Sequence, residues 1–280
     1  MMVETLCHPI HLLLRSKRPT VHPYLTATRN DRRPEILPCH RGSVQRRGID
    51  EVRQALADES VSLILVQRDH DDPMIGELVE EARGMGIPVE EGPESDIWRM
   101  ARPGPEPPKI LALVGRRPDS SIDELLDAQG VVWLLVGVRY AVNIGYVIRT
   151  AEITGAAGLI ICGEFSKTEQ RTALRASMRS NRFIPVLWST TEEALTKIGE
   201  SERRLVSVED VGDISPWDAD LKGDPVICVG GEHDGVPQEV LDRSVQVIRL
   251  PMAGFVPSYN LQTPMGVVAL EAMRQNGLGE

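Results

Sequence analysis

Apolar and polar positions along the chain change period several times. "IDEVRQALAD" (Ile49 to Asp58) carries apolar residues at helical spacing. "VSLILVQ" follows as a short, continuously apolar strand. "PMIGELVEEARGMG" is the next helix, with Pro73 at its start and glycine at its end. "IPVEE" reads as a strand, "ESDIWRMA" as a helix and "KILALVG" as a strand ending near Gly115. Strand and helix alternate, which predicts a small α/β domain. "RPGPEPP" (Arg102 to Pro108) is a proline-rich loop inside it, and "RRPDSSIDELLDAQG" bridges to a second unit.

That unit begins at "VVWLLVGV", apolar at odd and even positions alike, as a central parallel strand would be. A helix over 142–155 comes next, then strand "GLIICG" and the polar helical stretch "TEQRTALRASMRS". Strand "IPVLW", helix "TEEALTKIG" and strand "RLVSVE" continue the alternation. Strand "DPVICVGG", a short helix "PQEVLDRS", strand "VQVIRLP" and a helix from about Asn260 to Gln275 complete it. The pattern predicts an α/β sheet of about six strands. There is no internal repeat and no low-complexity tract.

Composition narrows the setting. No stretch of the 280 residues approaches the length of a membrane span. The features of a secretory signal are missing. Cys7, Cys39, Cys162 and Cys228 show no C-x-x-C spacing, and the last two sit inside apolar runs. That usage points to a reducing, cytoplasmic location. The formal net charge of −10 argues against a nucleic-acid partner at face value, but the charge is uneven. Met1 to Arg47 holds nine Lys/Arg and three acids, a balance of +6; the remainder stands at −16. Such an arm is a footprint for RNA, a solvated tail or an organelle transit peptide. The set Cys7, His8, His11, Cys39 and His40 fits no standard zinc spacing, so no metal is expected.

No Gly-rich phosphate turn of either common type occurs. Glycines and polar residues gather instead at "NIGYVIRTA", "VGGEHDGVP" and "RLPMAGFVPSYNLQTP", each after a strand. In an open α/β sheet, ligands bind beyond the carboxyl ends of strands. The first segment has Asn143, Gly145, Arg149, Thr150 and Ala151 in the pattern N-x-G-x-x-x-R-T-A. The second has Gly230, Gly231, Glu232, Gly235 and Val236. The third has Ile248, Leu250, Pro251, Met252, Ser258, Tyr259 and Asn260, with Glu271 in the closing helix. In this order the three resemble the motifs of the SpoU/TrmH family of RNA ribose 2′-O-methyltransferases, within the knotted SPOUT superfamily. The resemblance covers about Val131 to Gln275. More loosely, the front domain resembles the ribosomal-protein-like RNA-binding domain that precedes many members. Arg179 after "RAS" and "QTP" after Asn260 depart from the family pattern.

The resemblance implies a basic N-terminal arm (1–40), a smaller α/β RNA-binding domain (41–116) and a methyltransferase domain (117–280). The last would have a parallel sheet and a deep C-terminal trefoil knot. It implies methyl transfer from S-adenosylmethionine to a ribose 2′-hydroxyl of structured RNA, rRNA ahead of tRNA, by a homodimer whose cofactor site is completed across the subunit interface. Arg149, Asn143, Glu232, Ser258 and Asn260 would be the catalytic set. Arg149 would orient the ribose hydroxyl and stabilise its charge, or act as base; a guanidinium's locked charge favours the first role. Asn143 would position ribose or phosphate, and Glu232 would anchor Arg149 or its own loop. The cofactor would lie against Val229, Gly230, Gly231, Ile248, Leu250, Met252, Ser258 and Leu261. The alternatives are a non-catalytic RNA-binding relative and a small-molecule methyltransferase. Residue by residue, Asn143 is also a helix N-cap, Arg149 a salt-bridge partner for Glu152 or Glu232, and Gly230–Gly231 a tight turn.

Overall fold

The computed structural model describes residues 44–59, 61–101, 106–115, 119–255 and 258–278. The 1–40 arm and the Cys7 to His40 set lie outside them. All described residues belong to one compact unit.

A first, mixed sheet has the order β1-β4-β2-β3. Its strands are β1 (Val44–Arg47), β2 (Val61–Gln67), β3 (Val89–Gly92) and β4 (Ile110–Val114). Strand β1 takes up Arg46 and Arg47, which the charge tally counted with the basic arm and the 41–116 boundary places in the front domain. Here β1 pairs antiparallel with β4, and Arg46 forks onto Glu59 at 2.8 and 2.7 Å. Alternation along β2 sends Ile64 and Val66 to helices α1 (Gly48–Asp58) and α2 (Pro73–Gly84). Leu63 and Leu65 face Ile97 and Ala101, at and just beyond α3 (Glu94–Met100).

The second sheet is six-stranded and parallel, in the order β10-β8-β9-β5-β6-β7. Its strands are β5 (Val132–Val136), β6 (Gly158–Cys162), β7 (Val186–Ser189), β8 (Leu205–Val208), β9 (Val226–Gly230) and β10 (Gln246–Ile248). The central strand β5 is buried on both faces. Trp133 and Leu135 join the core beneath α5 (Ala141–Ile153) and α9 (Gln262–Gln275). Val132, Leu134 and Val136 join the opposite core, with α4 (Ile122–Asp127), α7 (Thr191–Glu200) and α8 (Gln238–Leu241). Helix α4 begins in the bridging segment, where Ser121 and Glu124 close a capping box. Arg203 holds the amino end of this sheet by donating to the carbonyls of Leu126, Gly130 and Asp224 at 2.6, 2.8 and 2.9 Å.

Helix α6 (Lys167–Ala176) packs on α5. Gly145 makes that possible: a β-carbon there would collide with Ala176 and with the Ala173 carbonyl. Past α6, Met178 and Arg179 adopt left-handed backbone (φ 54° and 73°). This turn aims Arg179 at the buried carboxylate of Asp96 in α3, with which it ion-pairs. Arg182 pairs with Glu90 at 2.5 Å, and Phe183 packs on the Leu63–Leu65 face of the first sheet. The departure noted at Arg179 is therefore a structural tie between the two sheets.

Candidate active site

The strand connections leave β5 and β9 in opposite directions, β5 toward β6 and β9 toward β10. This is a topological switch point, where an open sheet leaves a crevice at its carboxyl edge. Two loops meet there. A β-carbon on Gly231, just after β9, would strike the carbonyl oxygen of Gly137, just after β5. Only glycine allows that approach. Next to it, Asn143 Nδ2 donates to Glu232 Oε1 at 2.6 Å, and the Arg139 backbone N–H donates to Glu232 Oε2 at 3.4 Å. Arg139 also pairs with Asp234 at 2.8 Å. On the far side, Glu209 Oε2 accepts from the Val236 N–H at 2.6 Å. The loop 231–236 is thus pinned at both ends.

Beside this point a cleft opens beyond β8, β9 and β10. Val229, Gly230, Gly231, Ile248, Leu250, Met252, Ser258 and Leu261 all line it, as do Glu232, Glu209, Asp210, Tyr259 and Pro264. The third segment is held in place by its own polar groups. Tyr259 Oη donates to the Pro251 carbonyl at 2.7 Å, and Asn260 Oδ1 accepts from the Gln262 N–H at 3.1 Å, opening α9. Pro264 sits in the first turn of α9, where a missing N–H costs little.

Of the five catalytic candidates, Glu232 and Ser258 line the cleft, Asn143 touches it through Glu232, and Asn260, outside the lining, accepts from the Gln262 N–H just ahead of α9. Arg149 does not join them. Its side chain is exposed on the outer face of α5, and among the described residues no carboxylate lies within ion-pair distance of it. Of the two partners expected for Glu232, its carboxylate takes the loop side, bonded to Asn143 and the Arg139 N–H, with Arg149 nearly two helical turns further on. Burial raises the Glu152 pKa, and Arg149 partly offsets that.

Sequence reasoning missed Glu209 and Asp210. Both directly follow β8, at a strand end like the other segments. Cys162 and Cys228 are buried free thiols. Burial pushes Cys162 up to about 12 and Cys228 higher still, which leaves both inert as nucleophiles.

The cleft is built from segments after β8, β9 and β10, with the loop after β5 packed against Gly231. The profile of the SpoU rRNA Methylase family matches residues 130–270, and the chain belongs to that family. It is 30% identical over 161 residues to the 23S rRNA (guanosine-2′-O-)-methyltransferase RlmB of Pseudomonas syringae, covering 56% of this chain and 64% of that protein. It is 28% identical over 211 residues to RlmB of Pseudomonas aeruginosa, covering 73% of this chain and 84% of that one. Among solved structures, an AdoMet-bound rRNA methyltransferase from Sinorhizobium meliloti aligns with a TM-score of 0.53 and 25% identity. That alignment covers 83% of this chain and 87% of the other.

Proposed function

We propose that this chain transfers the methyl group of S-adenosylmethionine to a ribose 2′-hydroxyl of structured RNA, rRNA ahead of tRNA. The observation that carries the reading is the cleft beyond β8, β9 and β10, lined by the second and third motif segments and reached by the first through the Asn143–Glu232 hydrogen bond. The cofactor fits the residues present. Gly230 and Gly231 leave no space for a β-carbon and expose backbone to the cleft. Ile248, Leu250 and Leu261 supply apolar wall. Glu209, Asp210 and Glu232 supply negative charge, and the described lining has no Lys or Arg, which suits a cationic ligand. When bound, the cofactor supplies an electrophilic methyl group. The chain's part is to place the ribose oxygen in line and offset its growing charge while the 2′-proton leaves to water. Asn143, held by Glu232, orients the ribose or phosphate. Arg149 stabilises the oxyanion.

Arg149 reaches a cleft across a subunit interface. Val142, Tyr146, Arg149 and Ile153 follow the spacing i, i+4, i+7, i+11 on one exposed face of α5. On the neighbouring α9, Leu270 is 63% exposed. Single exposed apolar residues need no explanation, but a continuous stripe marks an interface. A homodimer that buries this stripe takes each Arg149 to the partner's cleft. The same proposal includes a deep C-terminal trefoil knot, a front RNA-binding domain at 41–116, a methyltransferase domain at 117–280, and a cytoplasmic location. Among the described residues no helix is long and apolar enough to cross a membrane.

The test is radiolabelled S-adenosylmethionine with purified rRNA and tRNA, followed by mapping of the methylated nucleotides. Label at a ribose 2′-oxygen supports the reading. Cofactor binding without transfer to either RNA would point to the non-catalytic alternative. A sedimenting monomer at micromolar concentration would remove the shared site.

A further inference from the structure

Helix α6 turns three cations to solvent. Lys167, Arg171 and Arg175 recur every fourth residue, all exposed, on the face away from buried Ala173. Each step rises about 6 Å, so the charges run along about 12 Å of helix. A solvated helix face ordinarily mixes signs. Elsewhere in this chain it does: Arg83 pairs with Glu80 at 2.7 Å, Lys197 with Asp123 at 3.0 Å and Arg274 with Glu271 at 2.6 Å. In α6 the single acid, Glu169, is turned back into the N-terminal capping box with Ser166. Among the described residues the three cations have no carboxylate partner, although the whole chain carries −10.

Both ends of this stripe lead somewhere. At the amino end an open cleft lies beyond β6 and β7, rimmed by Ser166, Gln170, Ser189 and Glu193. Its wall is Phe165 set edge-to-face against Trp188, with centroids 5.0 Å apart at 62°. At the carboxyl end, the Arg179 and Arg182 ion pairs tie the helix to the first sheet. The cleft opens at the same carboxyl edge of the parallel sheet as the candidate active site.

We propose that the outer face of α6 is a track for RNA. Lys167, Arg171 and Arg175 take backbone phosphates, and the Phe165–Trp188 cleft takes one unpaired base next to the methylated nucleotide. Uniform positive charge along a helix supplies affinity without sequence preference. An aromatic wall accepts a base by stacking, and the Gln170 amide, the Ser166 and Ser189 hydroxyls and the Glu164 and Glu193 carboxylates around it offer contacts to the base edge. This track rests on the RNA-substrate reading above, and it assigns RNA contact to residues outside the three family motifs.

The test uses the full chain and purified 23S rRNA, with binding measured across a salt series. Replacing all three cations by glutamine should flatten the slope of log affinity against log salt by about two units, at roughly 0.7–0.9 per phosphate contact. Arg171→Gln alone should flatten it by about a third of that. Calorimetric S-adenosylmethionine affinity should not change. A short oligouridylate should quench tryptophan emission in the wild type and much less in Trp188→Phe. Wild-type salt slopes in both cation variants overturn the phosphate track, and equal quenching overturns the base cleft. If the slope falls but the wild type transfers no methyl group, the track stands and the methyltransferase reading fails. If the wild type methylates RNA with an unchanged slope in the variants, the reverse holds.

Discussion

Helices α5 and α6 pack on one another through Gly145, yet their outward faces differ in kind. The α5 face is an apolar stripe with one cation, Arg149. The α6 face has three cations spaced along it and no apolar residue among them. An apolar stripe gains by leaving water, so it suits a permanent protein contact. An unpaired cationic stripe stays hydrated until a polyanion displaces its counterions. The two helices thus divide the labour proposed here, α5 for the partner subunit and α6 for RNA. Arg149 is the exception on its face, a charge set among groups for which burial is proposed. A buried guanidinium requires an anion, and a developing ribose oxyanion beside a phosphate is one.

The largest expected effect is at that exception. Arg149→Ala should lower kcat by about two to four orders of magnitude with S-adenosylmethionine affinity near wild type, because Arg149 lies outside the cofactor cleft. Arg149→Lys should restore little, since lysine keeps the charge and loses the planar fork. Single-turnover kinetics at saturating RNA measures this. Mixing subunits sharpens the comparison. Ser258→Trp blocks a cleft from an exposed position without touching the core. Arg149→Ala and Ser258→Trp, each inactive alone, should regain activity when co-refolded, because the heterodimer has one intact cleft served by one intact arginine. No recovery would place Arg149 in its own cleft and break the assignment of the α5 face.

The next effect concerns the apolar stripe itself. Tyr146→Asp with Leu270→Glu puts two carboxylates where burial is proposed. Tyr146 is 42% exposed and Leu270 63%, so the isolated chain should still fold. Sedimentation should show the dimer dissociation constant raised at least a hundredfold, on the order of 3 kcal/mol for two buried charges. Methyl transfer should fall with dimer content. The corresponding glutamine changes on α6 should leave sedimentation unchanged.

A smaller effect belongs to the pinned loop. Asn143→Ala strands Glu232 with a single weak donor, the Arg139 N–H at 3.4 Å. Loss of a charge-assisted hydrogen bond is worth about 1.5–3 kcal/mol, so kcat/KM should drop by roughly ten- to a hundredfold. Glu232→Gln, which can still accept from Asn143, should cost less. Equal losses in the two variants would assign Glu232 a further role in the cleft.

Most of the architecture was legible in the sequence because β5, β6 and β9 are buried on both faces and therefore read as unbroken apolar runs. Strand β1 was not legible. Val44–Arg47 contains two arginines, and its place at an edge leaves one side of it free to carry charge. Helix α4 lay in a polar bridge, although its capping box, Ser121 with Glu124 before Leu125 and Leu126, is written in the sequence. The eight cofactor candidates came from the family resemblance, and all eight line one cleft. Glu209 and Asp210 were not among them, and their position depends on the loop 231–236 folding back onto β8. The orientation of Arg149 was also beyond reach. Six residues separate it from Asn143, about 240° around the helix, and spacing alone does not say which side faces a cleft.

The smallest effect tests whether α9 is merely scaffold. Glu271 is nearly buried and accepts from Arg274 at 2.9 and 2.6 Å and from Gln275 at 2.8 Å. The Arg274 and Gln275 hydrogen bonds hold its pKa down to about 2, below the ordinary 4.5. A folded-state pKa below the unfolded one means the interaction stabilises fully above pH 4.5 and is lost as pH falls toward 2. Arg274 is 67% exposed, so solvent screens the pair, and its worth is on the order of 1 kcal/mol. Arg274→Ala should therefore lower stability by about that amount at pH 7 and make little difference near pH 2 in urea titrations. Because Leu270 lies on the same helix, dimer sedimentation in Arg274→Ala provides the control. If only stability changes, Glu271 serves α9 internally. If the dimer weakens as well, the apolar contact proposed for α5 extends along α9 to its last turn.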